Sequence, residues 1–316
     1  WEWWTTSPPG VAYEWTHPPL AKEIMAGSMI LLNSQESWAW RFPGVLLGIL
    51  SIYLVYLLAQ KLFNRKTISL ISAFIFSIDG LNFVQSRTGM NDIYYITFVL
   101  ASLLFILNKK YFWGAVLLGL ALSSKWAAVY VYLLFIPLLI FNRNYRQVLF
   151  FFIIPPVIYF LSYIPFFLLG HTPQQFIQLQ QQMWWYHTGL KTTHGYSSPW
   201  WSWPLNLYPV WYFVDYQGNK IANIFASGNP VVFWSGSIAI LFTIRDIVRK
   251  KMGNLLIVVL GFLIFWLPWV ISPRIMFLYH FSPSVPFLSI ALGYQLRKQK
   301  YILILLGLMI LSFILI

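Results

Sequence analysis

Windows of roughly 16–23 residues with almost no charged side chain recur from end to end of this 316-residue chain, and they leave few folds open. Apolar runs of that length are the signature of helices that cross a bilayer, which takes about 20 residues. One soluble core does not account for them. The chain is 59% hydrophobic and 9% charged, whereas an ordinary soluble domain is about 25% charged. There is no cysteine, which excludes disulfides and thiolate chemistry. No cleavable signal peptide is visible. The chain opens on a polar, Trp-rich segment, WEWWTTSPPGVAYEWTHPP, which reads as an external loop, so a first helix is expected upstream of Trp1.

About ten spans are predicted, over 43–63, 67–86, 92–107, 111–124, 126–141, 147–169, 229–244, 253–271, 275–295 and 301–316. The fold class is therefore an all-α polytopic membrane protein. A single membrane-embedded domain is expected over 1–316, divided into an external loop (1–42), a first helical bundle (43–169), a large external loop (170–228) and a C-terminal four-helix membrane region (229–316).

Basic residues set the orientation. Alternate loops hold Lys61, Arg65, Lys66; Lys109, Lys110; Arg143, Arg146; Arg245, Arg249, Lys250, Lys251; and Arg297, Lys298, Lys300, which is 14 of the 21 bases with one acid, Asp246. By the positive-inside rule that face is cytoplasmic. The net charge of +13 is thus a topology signal that needs no nucleic-acid partner. Loops on that face are only a few residues long, so any chemistry belongs to the other side.

All five histidines (His17, His171, His187, His194, His280) fall on or near the external face, with Glu14, Glu23, Asp79, Asp92, Asp215, Arg87, Lys125 and Arg274. Charged groups at span ends are costly unless paired or solvated, so a one-sided cluster suggests a hydrated cavity. Arg87, Lys125 and Arg274 taken singly fit snorkelling interfacial residues. Three cations at one depth fit better the binding of an anionic headgroup such as a lipid-linked phosphate. His187 and His194 are seven apart, outside the usual zinc spacings, and no His-Glu-x-x-His occurs, so no metal is expected. No Walker motif or Rossmann fingerprint is present. Gly114 and Gly119 read as small residues that let helices pack closely.

Between the apolar runs lies WWYHTGLKTTHGYSSPWWSWPLNLYPVWYF, from Trp184 to Phe213. It shows neither a period of 2 nor one of 3.6. Its amphipathic rings suit a membrane–water interface. An aromatic belt that only anchors the protein would look similar; the reading preferred is a shaped surface over a membrane-embedded site.

These residues resemble the protein O-mannosyltransferases of the dolichyl- or polyprenyl-phosphate-mannose type. THPPLAKEIMAG (16–27) is similar to the family's HPPLGK segment, SRTGMND (86–92) to its Ser-Arg segment, and GLALSSKWAAVYV (119–131) to its Lys-Trp helix. YHTGLKTTHGYSSPWWSWPL (186–205) is similar to the family's Trp-Pro loop in a bacterial form, and SPRIMFLYHFSPSVPF (272–287) to its Arg-x-x-Phe-x-Tyr-His helix. HPPL alone is shared with other lipid-linked sugar transferases; the set in this order is specific. The resemblance implies the C-type glycosyltransferase fold, with eleven spans in a full chain. It also implies inverting transfer of mannose from polyprenyl-phosphate-mannose to Ser or Thr hydroxyls of an exported polypeptide, at the extracytoplasmic face of a bacterial or archaeal plasma membrane. No cofactor is implied beyond the lipid-linked donor, and the partners are that lipid and the acceptor polypeptide.

For the site, Arg87, Lys125 and Arg274 are expected to hold the donor phosphate, with Tyr279 and His280 on the same helix as Arg274. Glu14 and His17 are expected to contact sugar. His194, Tyr196, Trp200, Trp201 and Trp203 are expected to cover the site and orient an extended peptide. The family's Asp-Glu pair, with its catalytic Asp, is absent from these residues. Asp92, near Arg87 and open to pairing with it, is the remaining candidate carboxylate. A related transferase moving another sugar, such as an aminopentose, onto a glycolipid fits HPPL and the arginines but fits SSKW and SPWWSWP poorly. A transporter would show repeated halves and polar groups at the midplane, and neither is seen.

Overall fold

The computed structural model describes residues 15–141, 145–250, 252–297 and 299–316. Glu14, Arg143, Lys251 and Lys298 lie outside them. The described part holds α1 (Leu20–Leu31), α2 (Ser37–Phe63), α3 (Lys66–Ser77), α4 (Gly80–Gln85), α5 (Asn91–Leu107), α6 (Tyr111–Ser124) and α7 (Tyr132–Phe141). It continues with α8 (Tyr145–Leu161), α9 (Ile164–Leu168) and α10 (Pro173–Thr188), then the strands β1 (Val210–Gln217) and β2 (Lys220–Ala226). The C-terminal helices are α11 (Pro230–Lys250), α12 (Gly253–Trp266), α13 (Val285–Leu296) and α14 (Ile302–Leu315).

Among the described residues, four stretches are long and apolar enough to cross a membrane: Ser37–Phe63, Tyr145–Leu168, Pro230–Arg249 and Gly253–Ile271. Five more are apolar but shorter, among them Asn91–Leu107 and Ile302–Leu315. The stretch predicted as one span over 67–86 is interrupted after α3, because the Asp79 carboxylate accepts the Asn82 N–H at 2.9 Å and caps a new helix, α4. The stretch predicted over 275–295 is likewise divided into a 3-10 turn at Leu278–Ser284 followed by α13.

One continuous core runs from Leu54, Val55 and Leu58 on α2 through Val99 and Leu103 on α5 to Phe287 and Leu288 on α13. The outside is also apolar: Ile49 and Tyr53 of α2, Phe152 and Ile153 of α8 and Leu303 and Ile304 of α14 are exposed. Each such side chain left in water forgoes about 2 kcal/mol of burial free energy, so a belt of this size calls for a lipid solvent. Packing between helices uses small residues where backbones approach. A side chain at Gly119 would meet Ile158 of α8 at 2.8 Å, and Ser102 of α5 donates to the Gly114 carbonyl at 2.6 Å.

Three local features aim side chains at one place. Gly89 turns the chain into α5 with φ +66, where an added Cβ would strike the Trp40 ring at 2.9 Å; this turn sets Asp92 in the first turn of α5. Lys125 is extended (φ −160, ψ 133) and separates α6 from a 3-10 helix over Trp126–Val131. α10 begins at a reciprocal cap, Gln175 N–H on Thr172 Oγ1 at 3.2 Å and Thr172 N–H on Gln175 Oε1 at 2.8 Å, and carries His187 in its last turn.

The stretch Trp184–Phe213 shows neither a helical nor a strand period in its sequence. Its two ends are regular instead: 184–188 complete α10, and 210–213 begin an antiparallel hairpin with Val210 opposite Ala226 and Gln217 opposite Lys220. Gly218, at φ +60, supplies the turn.

Candidate active site

The cavity lies where α5, the segment after α6, the end of α10 and the stretch 268–280 meet, and its volume is about 550 Å³. Asp92, Lys125, Arg274, Tyr279, His280 and His17 all line it, together with Lys22, Trp126, Tyr186, His187 and Trp269. Motifs more than 250 residues apart in sequence thus share one chamber. No three His, Asp or Glu side chains converge as a metal-ligand group among the described residues.

Lys125 Nζ donates to both Asp92 oxygens, at 2.8 and 2.9 Å. Both side chains are buried, with 8% and 1% of their surface exposed. This corrects the expected pairing of Asp92 with Arg87. Arg87 does not line the cavity; it is exposed and lies over the Phe83 ring at 4.6 Å. A long cation at a helix end is satisfied there by water and a ring face. The Lys125 ammonium also sits 5.7 Å from the Tyr95 ring and 5.6 Å from the Tyr279 ring, within cation–π range.

Arg274 is buried (9% exposed). Its Nη1 donates to His187 Nδ1, its Nε donates to the Ile275 carbonyl at 3.3 Å, and its guanidinium lies over the Tyr186 ring at 5.0 Å. No carboxylate pairs with it among the described residues. His187 Nε2 meets the Thr16 carbonyl at 2.8 Å, and its ring stands edge-on to His17 at 5.5 Å. Burial first, then the Arg274 charge, pushes the His187 pKa down to about 3. Sequence reasoning missed this residue as a site member. Its spacing to His194 suggested nothing, and its partner is 87 positions away.

His280 is buried, and its Nδ1 accepts the Phe277 N–H at 3.0 Å. Trp269 packs on it at 4.2 Å between ring centres, and Trp203 stacks behind at 6.0 Å. Trp203 is fully buried and donates from Nε1 to Ser198 at 2.9 Å. The expectation that it contacts the acceptor is therefore corrected: it has no free face and supports the wall formed by Trp269 and His280. Trp200 and Tyr196 also pack inward, on Trp266 at 5.5 Å and Trp211 at 5.4 Å. His194 is exposed beside Tyr196 and Phe277, and Trp201 is exposed; neither lines the cavity.

A second, open groove of about 550 Å³ is lined by Lys191, Thr192, Thr193, Ser197, Ser198 and 273–276, with Arg274 common to both spaces. Glu14 lies outside the described residues.

Comparison with known proteins identifies the family and the fold. Residues 16–170 match the family described as dolichyl-phosphate-mannose-protein mannosyltransferase, and residues 172–315 match the C-terminal four-transmembrane region of protein O-mannosyltransferase. The polyprenol-phosphate-mannose–protein mannosyltransferase of Mycolicibacterium smegmatis is 24% identical over 90% of this chain and 71% of its own length. Among solved structures, the S. cerevisiae protein O-mannosyltransferase Pmt1–Pmt2 complex bound to the sugar donor superimposes with a TM-score of 0.80 at 15% identity, covering 94% of this chain and 82% of that chain. ArnT from Cupriavidus metallidurans in the apo state follows at 0.65 and 14%, covering 95% and 52%. The fold is that of the C-type glycosyltransferases: mostly helical and embedded in a membrane, so the expected all-α class is corrected only by the β1–β2 hairpin. Within that class, the chain belongs to the protein O-mannosyltransferase family.

Proposed function

We propose that this protein transfers mannose from polyprenyl-phosphate-mannose to Ser or Thr hydroxyls of exported polypeptides, at the external face of the membrane. The observation that carries the reading is a buried Arg274 whose charge meets no carboxylate among the described residues, in a cavity that also holds Asp92 and Lys125. The reaction needs little from the protein. The acceptor oxygen attacks the anomeric carbon, the bond from that carbon to the phosphate oxygen breaks, and polyprenyl phosphate leaves. The hydroxyl proton passes to a carboxylate.

Arg274 takes the phosphate, with Tyr279 and His280 beside it in the same wall. Asp92 is the carboxylate that lines the cavity among the described residues. Lys125 holds both its oxygens, so Asp92 accepts the proton once the arriving phosphate draws Lys125 away. His17 stands at the His187 edge of the chamber, as a sugar contact. The groove along Lys191–Thr193 and Ser197–Pro199 leads the acceptor polypeptide towards Arg274.

The test is transfer from mannose-labelled polyprenyl phosphate to a Ser/Thr peptide by purified full-length protein. Asp92→Asn is expected to lower kcat at least ~100-fold, the scale of losing a group that acts only in the transition state. Unchanged turnover in that variant would remove Asp92 from the chemistry.

A further inference from the structure

We infer that His187 is the positioning residue for Arg274: a neutral imidazole, protonated on Nε2, that fixes the guanidinium without cancelling its charge and ties it to the segment carrying His17. The inference builds on the reading of Arg274 as the phosphate-binding group, and its own support is separate. A guanidinium has only donors, so the contact from Arg274 Nη1 requires a lone pair on His187 Nδ1. The proton then sits on Nε2, where it donates to the Thr16 carbonyl at 2.8 Å. An imidazolium would set N–H against N–H at Arg274. The opposite tautomer would do the same there and also face a lone pair to the Thr16 carbonyl. One of the three states satisfies both neighbours.

The surroundings favour that state. Trp126 and Tyr186 pack on the ring at 5.7 and 5.3 Å, and His17 stands edge-on to it at 5.5 Å. Among the described residues, the ionisable groups that act on it are Arg274, His17 and Lys125, and each disfavours a proton on the ring. The choice of partner has a consequence for binding. A carboxylate in this place would neutralise Arg274 and compete with a phosphate. An imidazole orients the planar fork and leaves its full charge for an anion. Because His187 lies 87 residues from Arg274 and 171 from Thr16, one ring joins three distant segments in the cavity wall.

Full-length protein in lipid nanodiscs, labelled with ¹⁵N at histidine, gives the direct test. One ring is expected to show the Nε2–H tautomer and not to titrate between about pH 5 and 8, and its signals should be missing from His187→Gln. A ring assigned to His187 that carries its proton on Nδ1, or titrates near pH ~6.5, overturns the inference whatever Arg274 binds. In transfer assays His187→Ala should raise the KM for polyprenyl-phosphate-mannose roughly tenfold with kcat little changed. His187→Gln, whose amide can accept from Arg274 and donate to Thr16, should recover most of that loss. An equal loss in both variants contradicts a positioning role. If the tautomer is as stated but Arg274→Ala leaves the donor KM unchanged, the pairing stands and the phosphate reading fails.

Discussion

On the side of the cavity built by α5 and the segment after α6, Lys125 meets both oxygens of Asp92, so positive charge is matched inside the protein. On the side built by 268–280, Arg274 meets the lone pair of His187 and, among the described residues, no carboxylate matches its charge. Both cations are buried and both come from segments that sequence reasoning had grouped together. Their partners separate their roles. A buried ion pair can be internally complete and hold a carboxylate in place. A buried cation facing only neutral groups is costly, and an anionic ligand relieves that cost.

The largest expected effect falls on the unmatched side. Arg274→Ala should reduce kcat/KM for transfer at least ~100-fold with modest loss of stability, measured by peptide mannosylation and by thermal unfolding. On the matched side stability should fall along with turnover. Lys125→Ala leaves Asp92 buried without its cation and should cost about 3 kcal/mol or more of stability, whereas Lys125→Ala with Asp92→Ala should recover part of it. Unfolding midpoints of the two singles and the double decide this; additive losses would mean that the pair is not a unit.

Trp203→Ala sharpens the comparison from behind. It removes a fully buried ring that backs Trp269 and His280, and should cost about 3–5 kcal/mol while weakening donor and peptide use together. Trp201→Ala, at an exposed ring, should stay within about 0.5 kcal/mol. Arg87→Ala should change donor affinity less than about twofold, since water already satisfies that side chain.

How far the sequence reaches is clearest at particular residues. The segments HPPL, MND, SSKW and RIMFLYH do meet, and Asp92, Lys125, Arg274, Tyr279, His280 and His17 share one cavity. Charge scarcity at helix ends carries that information, because an ionisable group beside apolar spans needs a solvated or paired place. Aromatic composition did not reveal where the rings face. A Trp at an interface and a Trp packed behind a wall have the same side chain, and Trp203 turned out to be the second kind. The partner of His187 was illegible for another reason: a contact across 87 residues leaves no local periodicity. The hairpin 210–226 was hidden by β1, whose Trp, Tyr and Phe sit on both faces of a mostly uncovered strand.

Two further effects concern pH. Glu23 is raised by burial to about 7 from an ordinary 4.5, so the folded state holds a proton that the unfolded chain releases. Its contribution to stability is present below about pH 4.5 and is lost as pH rises through about 7. His187 has the opposite sign. Its contribution is present above its unfolded value of 6.5 and is lost as pH falls towards about 3. Glu23→Gln should flatten the first slope and His187→Gln the second, read as unfolding midpoint against pH.

The most direct test of the unmatched-cation account is equilibrium binding of mannose-free polyprenyl phosphate to the full-length protein, comparing wild type, Arg274→Ala and Arg87→Ala. A loss of ~100-fold in affinity for Arg274→Ala with near wild-type binding by Arg87→Ala is the expected result. Equal affinities in wild type and Arg274→Ala would contradict it.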